Sequence, residues 1–446
     1  MSRRQLLGSL GGLGLFVALP ALRARAGSDG YAGPFLITVH AGGGWDPTTH
    51  FDGKTANELV QVPYTEPATS GPFTYAPLSL KDGATELDTV QAFLTDYGSR
   101  LTVINGIDTQ TNNHETGTKH VWSGKSFEQL PSLGAMFAAA KLGEQKLPVA
   151  YLSTGGYDVT ANLVPLTRIA SPTALRAVSL PNVSNPTAAP EDWSTYHDAE
   201  TASRIRLAND ERLIRLGQGA ILPSETEGLQ DLRVARAGMA GFDQLALALP
   251  TTPIETKTAF PALNPYNDTQ LTSWLRSAET ALYAFSSGQA AAANIATTGF
   301  DTHATHDTNH QKQTGKLFLL LRFIFELAET LGLTDKLYVV VGSDFGRTPT
   351  YNAGMGKDHW NVTSMLVSGP GIAGSRVIGA TDEQLRPMRL DPASPSTTLA
   401  TDDPAGTRLN PAHVHRAFRK VAGIEASTPA TDFALPVEHP MDDLLG

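Results

Sequence analysis

Residues 337–347, LYVVVGSDFGR, decide how the chain is read. Residues 337–341 are apolar and largely β-branched, the pattern of a strand buried on both faces. A polar loop follows at once and carries Asp344 and Arg347. Just upstream, Leu317, Leu320, Leu321, Ile324, Leu327, Ala328 and Leu331 recur at steps of three and four. That is one apolar stripe of a helix, which Gly332 can end. Helix, buried strand and polar loop make an α/β unit. In open parallel sheets ligands bind beyond the carboxyl ends of the strands. Asp344 falls there, and so does Asp301 if 294–297 is a strand.

Two neighbouring stretches are equally polar. Residues 299–310, GFDTHATHDTNH, hold Asp301, His303, His306 and His310. His306 and His310 are four apart, so on a helix both imidazoles share a face and can meet one ion. They can equally be solvated histidines at a polar helix start. Asp307 stands where a zinc-protease motif needs glutamate, so that motif is absent. Residues 356–361, GKDHWN, add Asp358 and His359. Arg347 offers a fork for phosphate, sulfate or carboxylate. Alternatively it pairs with Asp344 or Asp358.

The amino-terminal half repeats the arrangement. Residues 35–40, FLITVH, read as the first core strand and run into Ala41-Gly42-Gly43-Gly44-Trp45-Asp46. Asp46 is either a metal carboxylate or a turn-forming Asp before Pro47. Residues 101–105 form a second strand, followed by Asn112-Asn113-His114-Glu115-Thr116-Gly117-Thr118-Lys119-His120. Thr116 and Thr118 are candidate nucleophiles or helix-capping residues. His114 and His120 are candidate ligands or acid/base groups. Helices are expected at 132–142, 199–216, 227–249 and 271–285, and further strands at 147–153 and 362–367. The stretch 190–290 reads as a helical insertion in one α/β domain covering 27–446. Asn410 with Pro411 can open a last helix through Val421, and His413 and His415 in it read as surface or structural.

The chain has 446 residues, no cysteine and a net charge of -10. Thiolate chemistry and disulfides are excluded, and no basic stripe invites nucleic acid. Ser2-Arg3-Arg4-Gln5-Leu6-Leu7 resembles a twin-arginine export motif, with a glycine-broken apolar segment and Ala24-Arg25-Ala26 as a cleavage site. Residues 1–26 are therefore expected to be a signal peptide, handing the chain to export machinery and to a periplasmic or extracellular place. No later stretch reaches the length of a membrane span.

Mixed Asp and His sets without Cys suit a divalent ion such as Zn, Mn or Ca. SDFGRTP, GKDHW and GFDTHATH, with the twin-arginine start, resemble a large family of exported bacterial proteins of unknown function related to sulfatases and the alkaline phosphatase superfamily. The resemblance implies a mostly parallel sheet covered by helices on both faces, with metal ligands after successive strands. By order it implies Asp46 as the first carboxylate and Thr116 or Thr118 as the nucleophile. Asp301 with His303 or His306, Asp344 and His359 complete the set, with Asp358 beside them. Two departures stand out. Phe345 follows Asp344 where related enzymes carry His, and with no Cys and no Ser followed by the Pro and Arg spacing of sulfatases a formylglycine sulfatase is excluded. The expected function is a metal-dependent hydrolase of phosphate or sulfate esters, acting on a small or polymeric anionic substrate. The alternative is an exported binding protein that keeps the fold without the chemistry.

Overall fold

The structure is a computed structural model. It describes residues 30–446 apart from positions within 78–89, 146–148 and 220–238, residues 128–129 and residue 170. The expected signal peptide lies outside the described residues, as does part of the helix expected at 227–249.

Eight strands form one sheet: β1 (Phe35–Ala41), β2 (Thr102–Asp108), β3 (Tyr151–Ser153), β4 (Leu166–Arg168), β5 (Ala292–Thr297), β6 (Leu337–Gly342), β7 (Val362–Ser368) and β8 (Arg376–Ile378). Their order is β8-β2-β7-β6-β1-β5-β3-β4. The central ladders β6–β1 and β1–β5 are parallel, while β7 runs antiparallel to both β6 and β2. β1 and β6 are buried along their whole length, which is why their sequences are continuous apolar runs rather than alternating ones.

Helices cover both faces. Phe35 of β1 stacks on Phe285 of the helix Thr269–Ser286, ring centroids 4.9 Å apart. His40, on the other face of the same strand, accepts a hydrogen bond from Trp122 Nε1 at 2.9 Å. Trp122 belongs to α1 (His114–Ser123), and Leu133–Leu142 packs on the same side of the sheet. The long helix α2 (His306–Thr330) buries Leu317, Leu320, Leu321, Ile324, Leu327 and Ala328, the stripe legible in the sequence. The expected insertion contains the helices Ala199–Gly219 and Met239–Ala248 before Thr269–Ser286. The helix Pro411–Val421 opens on Asn410 as expected, with a capping box, and a short helix, Thr428–Asp432, follows it. The expected strand at 147–153 is only three residues long, and Arg389–Asp391 forms a hairpin with Ser394–Leu399.

One edge of the sheet gathers the polar loops. β1, β5, β6 and β2 all end there. Because β7 is antiparallel, its first residue pairs with the end of β2 (Val362 with Asp108), so His359 just before it arrives at the same edge. Among the described residues no helix is long and apolar enough to cross a membrane.

Candidate metal centre

At this edge His114, Asp301 and His359 present one donor atom each, all within 4.8 Å of one another. His303 joins them: its Nε2 lies 3.0 Å from Asp301 Oδ1 and 2.9 Å from His359 Nε2. His359 Nε2 is 3.3 Å from the same Asp301 oxygen, and His114 Nε2 is 3.5 Å from Asp301 Oδ2.

The far side of each ring fixes its orientation. His114 Nδ1 donates to Asp344 Oδ2 at 2.5 Å, His303 Nδ1 to Asp358 Oδ1 at 3.0 Å and His359 Nδ1 to Asn112 O at 2.8 Å. A proton on every Nδ1 leaves each neutral ring with a lone pair on Nε2. Three lone pairs then face one another and a carboxylate, a repulsion that a cation among them, or a proton on one Nε2 facing Asp301, relieves. A tetrahedral ion with nitrogen bonds of about 2.0 to 2.1 Å holds its ligands roughly 3.4 Å apart, close to the four separations of 2.9 to 3.5 Å just given. The residues therefore fit a divalent ion, with Asp344, Asp358 and the Asn112 carbonyl as the outer groups that orient the ligands.

Asp344 is saturated in that outer role. Gly43 N–H and Gly44 N–H donate to its Oδ1 at 2.9 and 3.0 Å, the Ser343 hydroxyl donates at 3.1 Å, and His114 takes Oδ2. Burial pushes its carboxyl up. The His114 bond and the nearby His40 and Gly43 outweigh that and hold it down at about 2. The hydrogen bond to Asp344 raises His114 in turn, against burial. Gly43 makes this possible: its φ is +120°, and a Cβ there would sit 2.4 Å from Asp301 N.

Arg347 is fully buried. Its Nε donates to Gly44 O at 2.7 Å, Nη1 to Lys357 O at 3.0 Å, and Nη2 to Asp301 Oδ1 at 2.7 Å and to Gly43 O. The guanidinium is spent on protein, so the expectation that it grips a substrate anion is corrected: it fixes Asp301. Phe345 is equally buried and its ring lies against His114 and His359, centroids 4.7 and 4.5 Å away. The two imidazoles also touch each other edge to face, centroids 4.5 Å apart, so Phe345 packs against a joined pair of rings.

The structure divides the expected ligand set in two. Asp46 and His306 belong to a second, inner cluster with no solvent exposure. Asp46 Oδ1 accepts from Thr48 N and Oγ1 at 2.9 and 2.7 Å, as in a turn. Its Oδ2 accepts from Lys357 Nζ at 2.7 Å and from His306 Nε2 at 3.1 Å. Burial raises the Asp46 carboxyl, but Lys357 and His306 overcome it and hold it well below the usual range. The ammonium thus occupies the position that a cation bound to Asp46 would need. His310 Nε2 accepts the Asp46 N–H at 2.9 Å. Burial, with His306 and His50 nearby, keeps its basicity far below that of free histidine. His306 and His310 do share a helix face, stacked 4.6 Å apart, but toward Asp46.

The two clusters are back to back. Thr302 bonds His306 Nδ1 at 2.6 Å between outward Asp301 and His303, and Lys357 points inward beside Asp358. Thr302 and Lys357 are also joined by a backbone bond of 3.1 Å. Sequence reasoning passed over Lys357 although it stands inside the quoted GKDHW, because attention fell on ligand types and not on a cation competing for them.

Thr116 and Thr118 lie in the first turns of α1. Asn113 Oδ1 accepts the Thr116 N–H at 3.0 Å as the helix cap, and among the described residues neither hydroxyl is bonded to a ligand side chain. His120 is buried and donates from Nδ1 to Thr109 O at 2.9 Å, away from the centre. His413 and His415 are structural, and buried rather than on the surface.

Solved structures with similar folds include an alkaline phosphatase from the Antarctic bacterium TAB5. It is 10% identical with a TM-score of 0.31, over 78% of this chain and 94% of that one. A sulfatase from Pseudoalteromonas sp. is 9% identical with a TM-score of 0.33, over 92% and 70%. A lipoteichoic acid synthase from Listeria monocytogenes is 8% identical with a TM-score of 0.31, over 82% and 74%. No curated protein matches the chain in sequence. Residues 35–405 match one family model, so the chain belongs to the family described as "Protein of unknown function (DUF1501)".

Proposed function

We propose that this chain is an exported hydrolase that holds one divalent ion through His114, Asp301, His303 and His359 and cleaves an ester of phosphoric or sulfuric acid. The observation that carries the reading is the locking of three imidazoles by their Nδ1 protons, with every Nε2 turned toward Asp301. For catalysis an ion held by all four groups must expand to a fifth ligand, and exposure allows that. The side chains of Asp301 and His303 are 46% and 47% exposed, so substrate and water can reach the ligands. A divalent ion bound there supplies Lewis acidity toward an ester oxygen and makes nearby water more acidic. Arg347 holds Asp301 Oδ1 in place, leaving Oδ2 as the oxygen that can take a proton from an attacking water. Asp344, Asp358 and Asn112 keep the rings from rotating away. Among the described residues no base is bonded to the threonine hydroxyls, so water is the assigned nucleophile and Thr116→Ala should retain substantial rate. Twin-arginine export fits a metal acquired during folding inside the cell.

The test is metal analysis of purified protein followed by an ester screen with Zn, Mn, Mg or Ca. One ion per chain with turnover of a phosphate or sulfate ester supports the reading. One ion without turnover of any ester favours the binding-protein alternative, to which the burial of Arg347 already lends weight. No ion overturns the hydrolase reading and leaves the binding protein that keeps the fold and has lost the site.

A further inference from the structure

The charge around the centre limits what an ester can bring to it. Three carboxylates surround the imidazoles: Asp301, Asp344 and Asp358, with Asp358 57% exposed. The nearby cations are already engaged. Arg347 is buried against two carbonyls of the glycine loop, the Lys357 carbonyl and Asp301. Lys357 is buried on Asp46. Lys119, on α1, bonds Glu115 at 2.8 Å. With a divalent ion in place, the three carboxylates, Arg347 and the ion sum to zero, and the Asp46–Lys357 pair adds nothing.

We propose that the site selects esters carrying a single negative charge, phosphodiesters and sulfate monoesters, ahead of doubly charged phosphate monoesters. The proposal rests on the hydrolase reading and deepens it. A phosphate monoester above its second ionisation, at about pH 6, carries close to two negative charges. One of them can be matched by the ion. The other meets Asp301 and Asp358, while Arg347, Lys357 and Lys119 among the described residues are already bonded to protein groups. Recognition of a dianion ordinarily uses free forks. A diester or sulfate monoester avoids the second charge, and the open rim around Asp358 and His303 leaves room for the group beyond the ester.

The experiment uses the metal-loaded full chain at a pH above the second ionisation of the phosphate group. It compares kcat/KM for an aryl phosphate, a diaryl phosphate and an aryl sulfate sharing one leaving group. Calorimetry with two inert probes, phenylphosphonate as dianion and dimethyl phosphate as monoanion, gives binding without turnover. The diester or the sulfate should exceed the monoester by about tenfold, and the dianionic probe should bind no tighter than the monoanionic one. Asp358→Asn keeps an acceptor for His303 and removes one charge. It should move both comparisons toward the dianion by about threefold, less at high salt. Preference for the monoester, or tenfold tighter phosphonate binding, overturns the proposal. If no ester is cleaved the hydrolase reading fails by itself, and the calorimetric pair still decides the charge selectivity.

Discussion

Asp344 and Lys357 are the residues on which the account is most exposed to mutation. Were Asp344 a ligand, Asp344→Asn would abolish ion binding. Here it orients His114 and accepts two backbone amides, so the variant should still bind one ion, with affinity reduced about 10- to 100-fold. Competition with a chelator measures this, and complete loss of the ion would return Asp344 to the ligand set. The inner pair behaves differently. Lys357→Met strands a fully buried carboxylate at Asp46 and should cost about 3 to 5 kcal/mol in denaturant unfolding. Asp46→Asn combined with Lys357→Met removes both charges, and most of that loss should return. A double variant as unstable as the single one would show that hydrogen bonding, not charge pairing, holds the inner cluster.

At the scale of elements, the site depends on where loops cross. The loop after β1 bends through Gly43 and Gly44 so that their amides reach Asp344 and their carbonyls reach Arg347. Gly43→Ala places a Cβ against the Asp301 backbone at a φ that side chains avoid. It should cost more than about 2 kcal/mol and weaken ion binding together with stability. A variant with unchanged melting and unchanged metal affinity would contradict the packing described. Periodicity and burial made β1, β6, β7, α2 and the Asn410 cap legible in the sequence, since each is a local pattern. The antiparallel sense of β7 was not legible, because direction is set by which loops the sheet edge can accommodate. Nor was the division of Asp46 and His306 from Asp301 and His303. That division follows from how the two segments turn: Thr302 and Lys357 face the inner cluster while Asp301, His303, Asp358 and His359 face outward, a choice set by their pairing and not by residue type.

For the whole molecule, buried neutral histidines set the acid limit. Burial lowers His50 to about 4 and His415 to about 3. The unfolded chain takes up protons at these positions below about 6.5, so the folded chain binds fewer. Their contribution is complete above that value and is lost as pH falls toward 4 and then 3. Asp46, whose pKa is depressed, gives up its contribution only at lower pH still. Unfolding between pH 6 and 4.5 should therefore take up at least three protons, at His50, His310 and His415, seen as a steady fall in stability of roughly 1.4 kcal/mol per pH unit for each group. A flat profile over that interval would contradict the neutral state of these buried rings. The central claim is the four-residue ion site, and elemental analysis of the full chain expressed with ample metal tests it most directly. The account expects one divalent ion per chain in the wild type, retained in Asp46→Asn combined with Lys357→Met and lost in His359→Ala; a folded wild type without an ion, or an ion kept by His359→Ala and lost from the Asp46 double variant, would contradict it.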